Sequence, residues 1–263
     1  VTALVDTHCH LDPGYFPDGG DLAIARAQQA GVAGFVVVGV GQDLAPARHA
    51  VALAHARGDH VAAVVGIHPH DAVTLNDTSL AELQGLARDP AVVAVGEIGL
   101  DYHYDHSPRE VQRAAFARLV GLAREVKKPI VIHTREAAED TLDVLEAEGA
   151  REVGGVIHCF SEDRAFAERA LALGFYLSFS GIVTFKGAKS VHDVAAWAPE
   201  DRILVETDSP YLAPVPLRGK SCEPAYVIHT ATRLAELRKV DPARIAEATS
   251  TNAARIFRRS FPV

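Results

Sequence analysis

The chain has no methionine, one tryptophan, three cysteines and only 6% aromatic residues, and it carries no excess of positive charge. Each shortage removes a class of protein. Cys9, Cys159 and Cys222 are scattered and odd in number, which argues against a disulfide framework, so a reducing compartment, the cytosol, is expected. No apolar run reaches the ~20 residues that cross a bilayer. No basic segment followed by a hydrophobic core opens the chain, so neither a membrane nor export is expected. A formal charge of −8 does not suit a protein that coats nucleic acid non-specifically, because surplus Lys and Arg do that work. An anionic substrate would have to be attracted locally. The first residue is Val1, and the initiator is expected either to lie outside this sequence or to have been written differently.

What is present is a core-forming composition in a repeating order. With 263 residues and 48% hydrophobic content, the chain can bury one large core, as one α/β barrel or two small domains. Apolar, β-branched runs fall at Ala3 to Val5, Gly34 to Val38, Val61 to Ile67, Val92 to Ile98, Pro129 to Ile132, Val153 to Ile157, Phe175 to Phe179 and Arg202 to Val205. They are nearly continuous rather than alternating, as parallel strands covered on both faces should be. Amphipathic stretches separate them: Asp21 to Ala30, Ala45 to Ala56, Leu80 to Ala87, Pro108 to Val126, Ala137 to Glu148, Arg164 to Leu173, Val191 to Ala196 and Pro224 to Leu237, with a last helix over Ala243 to Phe257.

Helix starts are expected at Ser107-Pro108 with Glu110, at Ser79 with Glu82, and at Asp241-Pro242. Gly31, Gly149 and Gly174 fall just past helix ends. Eight strand-helix units over this length predict a single (β/α)8 TIM barrel spanning residues 1–263 as one domain. An open doubly wound sheet would ask for a Gly-x-Gly-x-x-Gly after the first strand, and His8-Cys9-His10 stands there instead.

Barrel enzymes keep their chemistry at the C-terminal ends of the strands. Six runs end there in a His or a carboxylate: His8 and His10, His68 and His70, Glu97 and Asp101, His133, His158, and Glu206 with Asp208. A lone His at a strand end is usually a hydrogen-bonded structural group; six such endings on one rim point to a metal site. Four histidines and two carboxylates suffice for two divalent ions ~4 Å apart if one carboxylate bridges them, and Glu97 is the natural bridge. Such a site keeps a net charge of about +2, a local attraction for a phosphodiester on an acidic protein. Lys186, Lys189, Arg135, Arg218 and Lys220 should border the same rim. Aromatic partners for bases are few there: of Tyr102, Tyr104, Phe160, Phe185 and Tyr211, most are expected in the core or behind the site.

With these residues in view, the chain resembles the TatD-like metal-dependent deoxyribonucleases, a branch of the amidohydrolase-type barrel hydrolases. The resemblance rests on Asp6-x-His8-x-His10, Gly66-x-His68-Pro69, Gly96-Glu97-x-Gly99-Leu100-Asp101-Tyr102, His133-x-Arg135, His158-Cys159-Phe160-Ser161, Glu206-Thr207-Asp208-Ser209-Pro210-Tyr211-Leu212 and Thr251-Asn252-Ala253. It implies that His8, His10, Glu97 and Asp208 hold one metal, and that Glu97, His133 and His158 hold a second. It also implies that His68 faces the scissile phosphate, that Asp208 takes the proton of the attacking water, and that the activity is hydrolysis of DNA, often as a magnesium-dependent 3′ to 5′ exonuclease. The family's Arg-Gly-Lys-x-Asn-Glu-Pro loop reads Arg218-Gly219-Lys220-Ser221-Cys222-Glu223-Pro224, with Cys222 replacing the amide. That loop is read as shaping the site, and Cys222 as a packed thiol.

Other readings stay open. Mg, Mn and Zn are all candidate ions, and mixed His and carboxylate ligands suit the transition metals better than magnesium. The substrate could be RNA or an aminoacyl-tRNA ester rather than DNA, or a lactone or phosphotriester. Related barrels that act on such substrates often bridge their metals with a carboxylated lysine, and no lysine ends the fourth run. A barrel that has lost its activity should have shed ligands, and this one shows the full set. A monomer is expected.

Overall fold

The computed structural model describes residues 3–262, so the extreme ends of the expected domain lie outside the described residues. In order the elements are β1 (Leu4–Cys9), α1 (Asp21–Gln29), β2 (Val32–Gly39), α2 (Ala45–Arg57), β3 (Val61–Val65), α3 (Asp77–Ala87), β4 (Val92–Asp101) and α4 (Arg109–Val126). The second half follows as β5 (Ile130–Arg135), α5 (Ala138–Ala147), β6 (Gly155–Ile157), α6 (Arg164–Ala172), β7 (Phe175–Phe179), α7 (Lys189–Trp197), β8 (Ile203–Val205), α8 (Val227–Arg238) and α9 (Pro242–Phe257). The strands pair in sequence order, every pair parallel. The sheet closes where Cys9 bridges to Ser209, with Asp208 N–H on the His8 carbonyl at 2.9 Å and His10 N–H on the Ser209 carbonyl at 2.8 Å. This is the (β/α)8 TIM barrel the strand spacing predicts.

Two apolar layers follow from the two faces of each strand. The outward residues, among them Phe35, Val37, Val95, Ile130, Leu177 and Val205, pack on helix residues such as Ile24, Leu83, Leu119 and Phe166. The inward ones form a separate column of small side chains, Val36, Val38, Ala62, Val64, Ala94, Val131, Val156 and Leu204, continuous with Ala253, Phe257 and Phe261. The last two rings are the floor of the barrel. Phe261 lies so close to β2 that a side chain on Gly34 would meet its ring at 2.6 Å.

Several boundaries differ from expectation for local reasons. Strand β1 runs on through His8 to Cys9, and β4 through Gly99 to Asp101, because Gly99 to Asp101 pair with His133 to Arg135. The run at Val153 loses its first two residues to a turn in which Gly154 is left-handed, with φ 63°. Helix α3 starts three residues early, because Asn76 rather than Ser79 caps it; Ser79 is the reciprocal partner and donates its backbone N–H to Asn76 at 3.0 Å. Ser107 does not cap α4; its hydroxyl donates to the His70 carbonyl at 2.8 Å instead. Asp241 caps α9 as expected, accepting from Ala243 N–H at 2.8 Å. Pro224 to Tyr226 form a separate 3-10 turn ahead of α8.

Candidate active site

Side chains alternate along a strand, so whatever follows the last inward apolar residue by two positions points into the mouth of the barrel. That step leads from Val131 to His133, from Val156 to His158 and from Leu204 to Glu206. Strand β4 reaches the same point through Glu97, and β1 through His8 and His10. Gly99 makes this possible on β4: its φ is 142°, and a Cβ there would fall 1.9 Å from the His133 carbonyl oxygen.

Glu97 is the centre of the cluster. Its Oε1 lies 2.8 Å from His133 Nδ1, 2.8 Å from His158 Nε2 and 3.4 Å from His68 Nε2. Its Oε2 lies 3.6 Å from His8 Nε2 and 3.8 Å from His10 Nε2. Asp208 Oδ1 completes the second group, 3.8 Å from His8 Nε2 and 3.6 Å from His10 Nε2. All seven residues read from the sequence as catalytic or metal-ligating, His8, His10, His68, Glu97, His133, His158 and Asp208, therefore meet at one place. His68, read as facing phosphate, stands as near Glu97 as the residues read as ligands.

Other groups position this set; of these, the sequence marks Asp101 and Glu206 only as strand-end carboxylates and Asp6 only as part of a motif, none with a positioning role. Asp101, at the end of β4, accepts backbone N–H bonds from His103 and Tyr104 at 3.0 and 2.9 Å, which aims its other oxygen at His133 Nε2 (3.2 Å) and His70 Nε2 (2.9 Å). The buried Gln112 of α4 ties that loop down through the Asp101 backbone and the Ser107 carbonyl. Glu206 Oε1 takes the Cys159 N–H at 2.8 Å and faces His158 Nδ1 at 3.1 Å, which turns the His158 Nε2 toward Glu97. Asp6 accepts the Thr207 N–H at 2.9 Å and hydroxyl at 2.6 Å and so pins the segment before Asp208. A carboxylate behind an imidazole fixes its tautomer and raises its basicity as a ligand. Each of these acids lies within four residues of a residue that was read as functional, and that proximity is the signal that could have pointed to the role.

Asp208 itself takes a left-handed backbone, φ 57°, held by its N–H bond to His8 and by Tyr211 N–H on its carbonyl at 2.8 Å. Cys222, in the loop that departs from the family pattern, is fully buried with its N–H on the Pro210 carbonyl at 2.9 Å, a packing role. Burial pushes its thiol well above the ordinary cysteine range.

Charge is organised around the carboxylates. Burial alone would raise the Glu97 carboxyl, but the imidazoles of His158, His68 and His133 outweigh it and hold the group well below the usual carboxylate range. Asp208 is held low against burial in the same way, by His10, His158 and His8. Burial pushes the His68 imidazole down to about 4, so it is neutral at physiological pH. Burial also pushes the Asp6 carboxyl up to about 8, against the hydrogen bonds from Thr207 and His8.

The donors fit divalent cations. Two imidazole nitrogens, His8 Nε2 and His10 Nε2, face each other at 3.3 Å, an arrangement that repels unless a proton or a cation lies between. Three triads each bring one donor atom per residue within 4.8 Å of the others: His8 with His10 and Glu97, His68 with Glu97 and His133, and His8 with His158 and Glu206. Mixed nitrogen and oxygen donors of this kind suit first-row transition ions.

Imidazoles and carboxylates gathered at the C-terminal mouth of a (β/α)8 barrel define the class of metal-dependent barrel hydrolases. Sequence comparison narrows the class: a profile described as TatD related DNase matches residues 5–258, and the chain belongs to that family. It is 42% identical over 255 residues to the uncharacterized metal-dependent hydrolase YabD of Bacillus subtilis (strain 168), covering 97% of this chain and 99% of the other. It is 35% identical over 260 residues to a 3′-5′ ssDNA/RNA exonuclease TatD of Edwardsiella piscicida, covering 97% and 99%. Among solved structures it superposes with TM-score 0.89 on the Escherichia coli TatD homologue YjjV, at 31% identity over 97% of this chain and 98% of that one. The protein is thus a TatD-family metal-dependent hydrolase.

Proposed function

We propose that the protein is an exonuclease that removes nucleotides from the 3′ end of single-stranded DNA or RNA, with two divalent ions bridged by Glu97. The observation that carries this reading is the division of labour on Glu97: Oε1 serves His68, His133 and His158, while Oε2 serves His8 and His10. One carboxylate between two donor groups is what a pair of ions ~4 Å apart requires. In this reading His8, His10, Glu97 and Asp208 hold one ion, and Glu97, His133 and His158 the other, with zinc or manganese a better match than magnesium to so many imidazoles. Bound there, such ions lower the pKa of a water toward neutrality and neutralise charge on the non-bridging phosphate oxygens.

The chain's own residues do the rest. Asp208, charged across the physiological range, takes the proton of the attacking water. Neutral His68, at the edge of the cluster, can donate a hydrogen bond to a phosphate oxygen without adding a proton to the exchange. Asp101 and Glu206 hold His133 and His158 in the orientation the site needs. The nucleic acid substrate is supported by the Edwardsiella relative's name, and every group in the scheme comes from one chain, so a monomer suffices.

The test is one protein against three substrates, a 5′-labelled single-stranded oligonucleotide, a D-aminoacyl-tRNA and a lactone, with metal content measured on the same preparation. Turnover of the oligonucleotide one nucleotide at a time, with two ions per chain, is expected. Turnover of only the acyl substrates would overturn the nuclease reading, and full activity with a single ion would overturn the bridge.

A further inference from the structure

Six large apolar side chains are exposed among the described residues: Tyr15, Leu22, Val73, Tyr104, Tyr211 and Val215. Every one lies between the end of a strand and the helix that follows, or in that helix's first turn, which places all six on the mouth face of the barrel. Exposed apolar surface concentrated on one face marks a ligand with apolar faces of its own. The tyrosines matter most, because each residue is about half open to solvent: 48% for Tyr15, 51% for Tyr104 and 47% for Tyr211.

They form two walls, one at each end of the Glu97 carboxylate. Tyr15 and Tyr211 meet with ring centroids 5.6 Å apart and hydroxyls at 2.6 Å, and both rings stand edge-on to His10 at 6.3 Å, on the Oε2 side. On the Oε1 side Tyr104 lies parallel to His106 at 5.5 Å, and the Arg135 guanidinium sits over its ring at 4.8 Å. Both rings abut His70, at 5.4 and 4.6 Å, and His70 in turn packs on His68 at 4.3 Å.

We infer that the two walls are base-stacking subsites: the bases on either side of the scissile phosphate stack, one on Tyr15 and Tyr211, the other on the Tyr104, His106 and Arg135 group. The inference deepens the nuclease reading and rests on it. Aromatic rings and a guanidinium plane bind bases of any sequence through their faces, which suits an exonuclease that must accept each nucleotide in turn. A base within a duplex has its faces covered by its neighbours, so the walls demand unpaired nucleotides on both flanks. A lactone or a small phosphotriester has no second flat group to fill the opposite wall.

The test compares Tyr15→Ala and Tyr104→Ala with Tyr15→Phe and Tyr104→Phe, the latter pair keeping the ring. Each is assayed on a single-stranded oligonucleotide and on the same strand made abasic at the terminal or the penultimate position. Binding of a labelled phosphorothioate oligonucleotide to the same proteins, followed by fluorescence anisotropy, gives a readout free of turnover. The Ala variants are expected to raise both KM and Kd about tenfold with kcat within about twofold, and the Phe variants to match wild type. On the strand abasic at the matching position, wild type is expected to lose the same factor and the Ala variant to lose nothing more. Unchanged KM and Kd in the Ala variants, on a wild-type protein that degrades the strand, would overturn the walls and leave the nuclease reading intact. Losses that simply multiply on the abasic strand would assign the tyrosines a structural role and also overturn it. A wild-type protein that neither binds nor degrades the oligonucleotide would overturn both readings at once, before any variant is made.

Discussion

At the floor of the barrel Phe257 and Phe261 belong to the apolar cluster of the interior, with the Phe261 ring against β2 at Gly34. At the mouth, a few residues further along the same strands, the interior ends in five imidazoles around one buried carboxylate. Both ends are well packed, yet their energetics are opposite. Burying a large apolar side chain at the floor stabilises by roughly 1.5–3 kcal/mol. Burying carboxylates at the mouth costs free energy that is recovered only through imidazoles, backbone N–H groups and the ions the site is built for. The floor therefore supplies stability and the mouth spends it, and variants at the two ends should fail in different assays.

The largest effect is expected from Glu97→Ala, which takes an oxygen from both donor groups: a loss of about 10⁴-fold in turnover, since each ion is worth several kcal/mol of charge stabilisation, with metal analysis showing both ions lost. Retained activity with one ion would refute its place between the two groups. Asp208→Asn should keep at least one ion and the fold while losing about 10² to 10³-fold in kcat. A rate that falls only in proportion to lost metal would remove Asp208 as proton acceptor. At the other end, Phe261→Ala should cost about 3 kcal/mol in urea unfolding and leave kcat per folded molecule within about twofold, so a matching drop in kcat would erase the contrast between floor and mouth. Asp101→Asn sharpens the mouth: it should weaken metal affinity about 10-fold to 100-fold, read by competition with a chelating dye, because His133 loses the carboxylate behind it. Smallest of all, Cys222→Ala should lower stability by about 1 kcal/mol and leave the rate unchanged, checked by thermal unfolding and oligonucleotide turnover.

How far each end could be read in advance differs for a physical reason. The mouth was largely legible because its residues break the pattern around them: a His or an acid closing a run such as Val153 to Ile157 has no place in a core and stands out. Strand order and barrel closure were legible from the same alternation of elements. Asp101 and Glu206 stood out as rim carboxylates, but their positioning role did not, because a carboxylate beside an expected ligand reads as one more ligand until the distances show which imidazole it backs. Ser79 and Ser107 were misassigned as caps because Ser, Thr, Asn and Asp all serve in that role, and only the backbone settles which of several neighbours does so. The floor was invisible: nothing in the sequence around Phe261 distinguishes a plug from an ordinary apolar tail. Tyr15 was passed over for a related reason, since it lies in a polar loop and reveals its role only beside Tyr211, 196 residues away along the chain.

The seam where β1 meets the segment after β8 has a consequence for when activity can begin. His8 and His10 come from the first strand and Asp208 from just beyond the last, and the hydrogen bonds that close the ring, Asp208 N–H to His8 and His10 N–H to Ser209, hold these groups in place. A growing polypeptide on the ribosome therefore has no assembled centre until Asp208 and Ser209 have been made and the two margins of the sheet have joined. Nascent and half-folded molecules therefore lack the assembled site, and hydrolysis can begin only with the final act of ring completion.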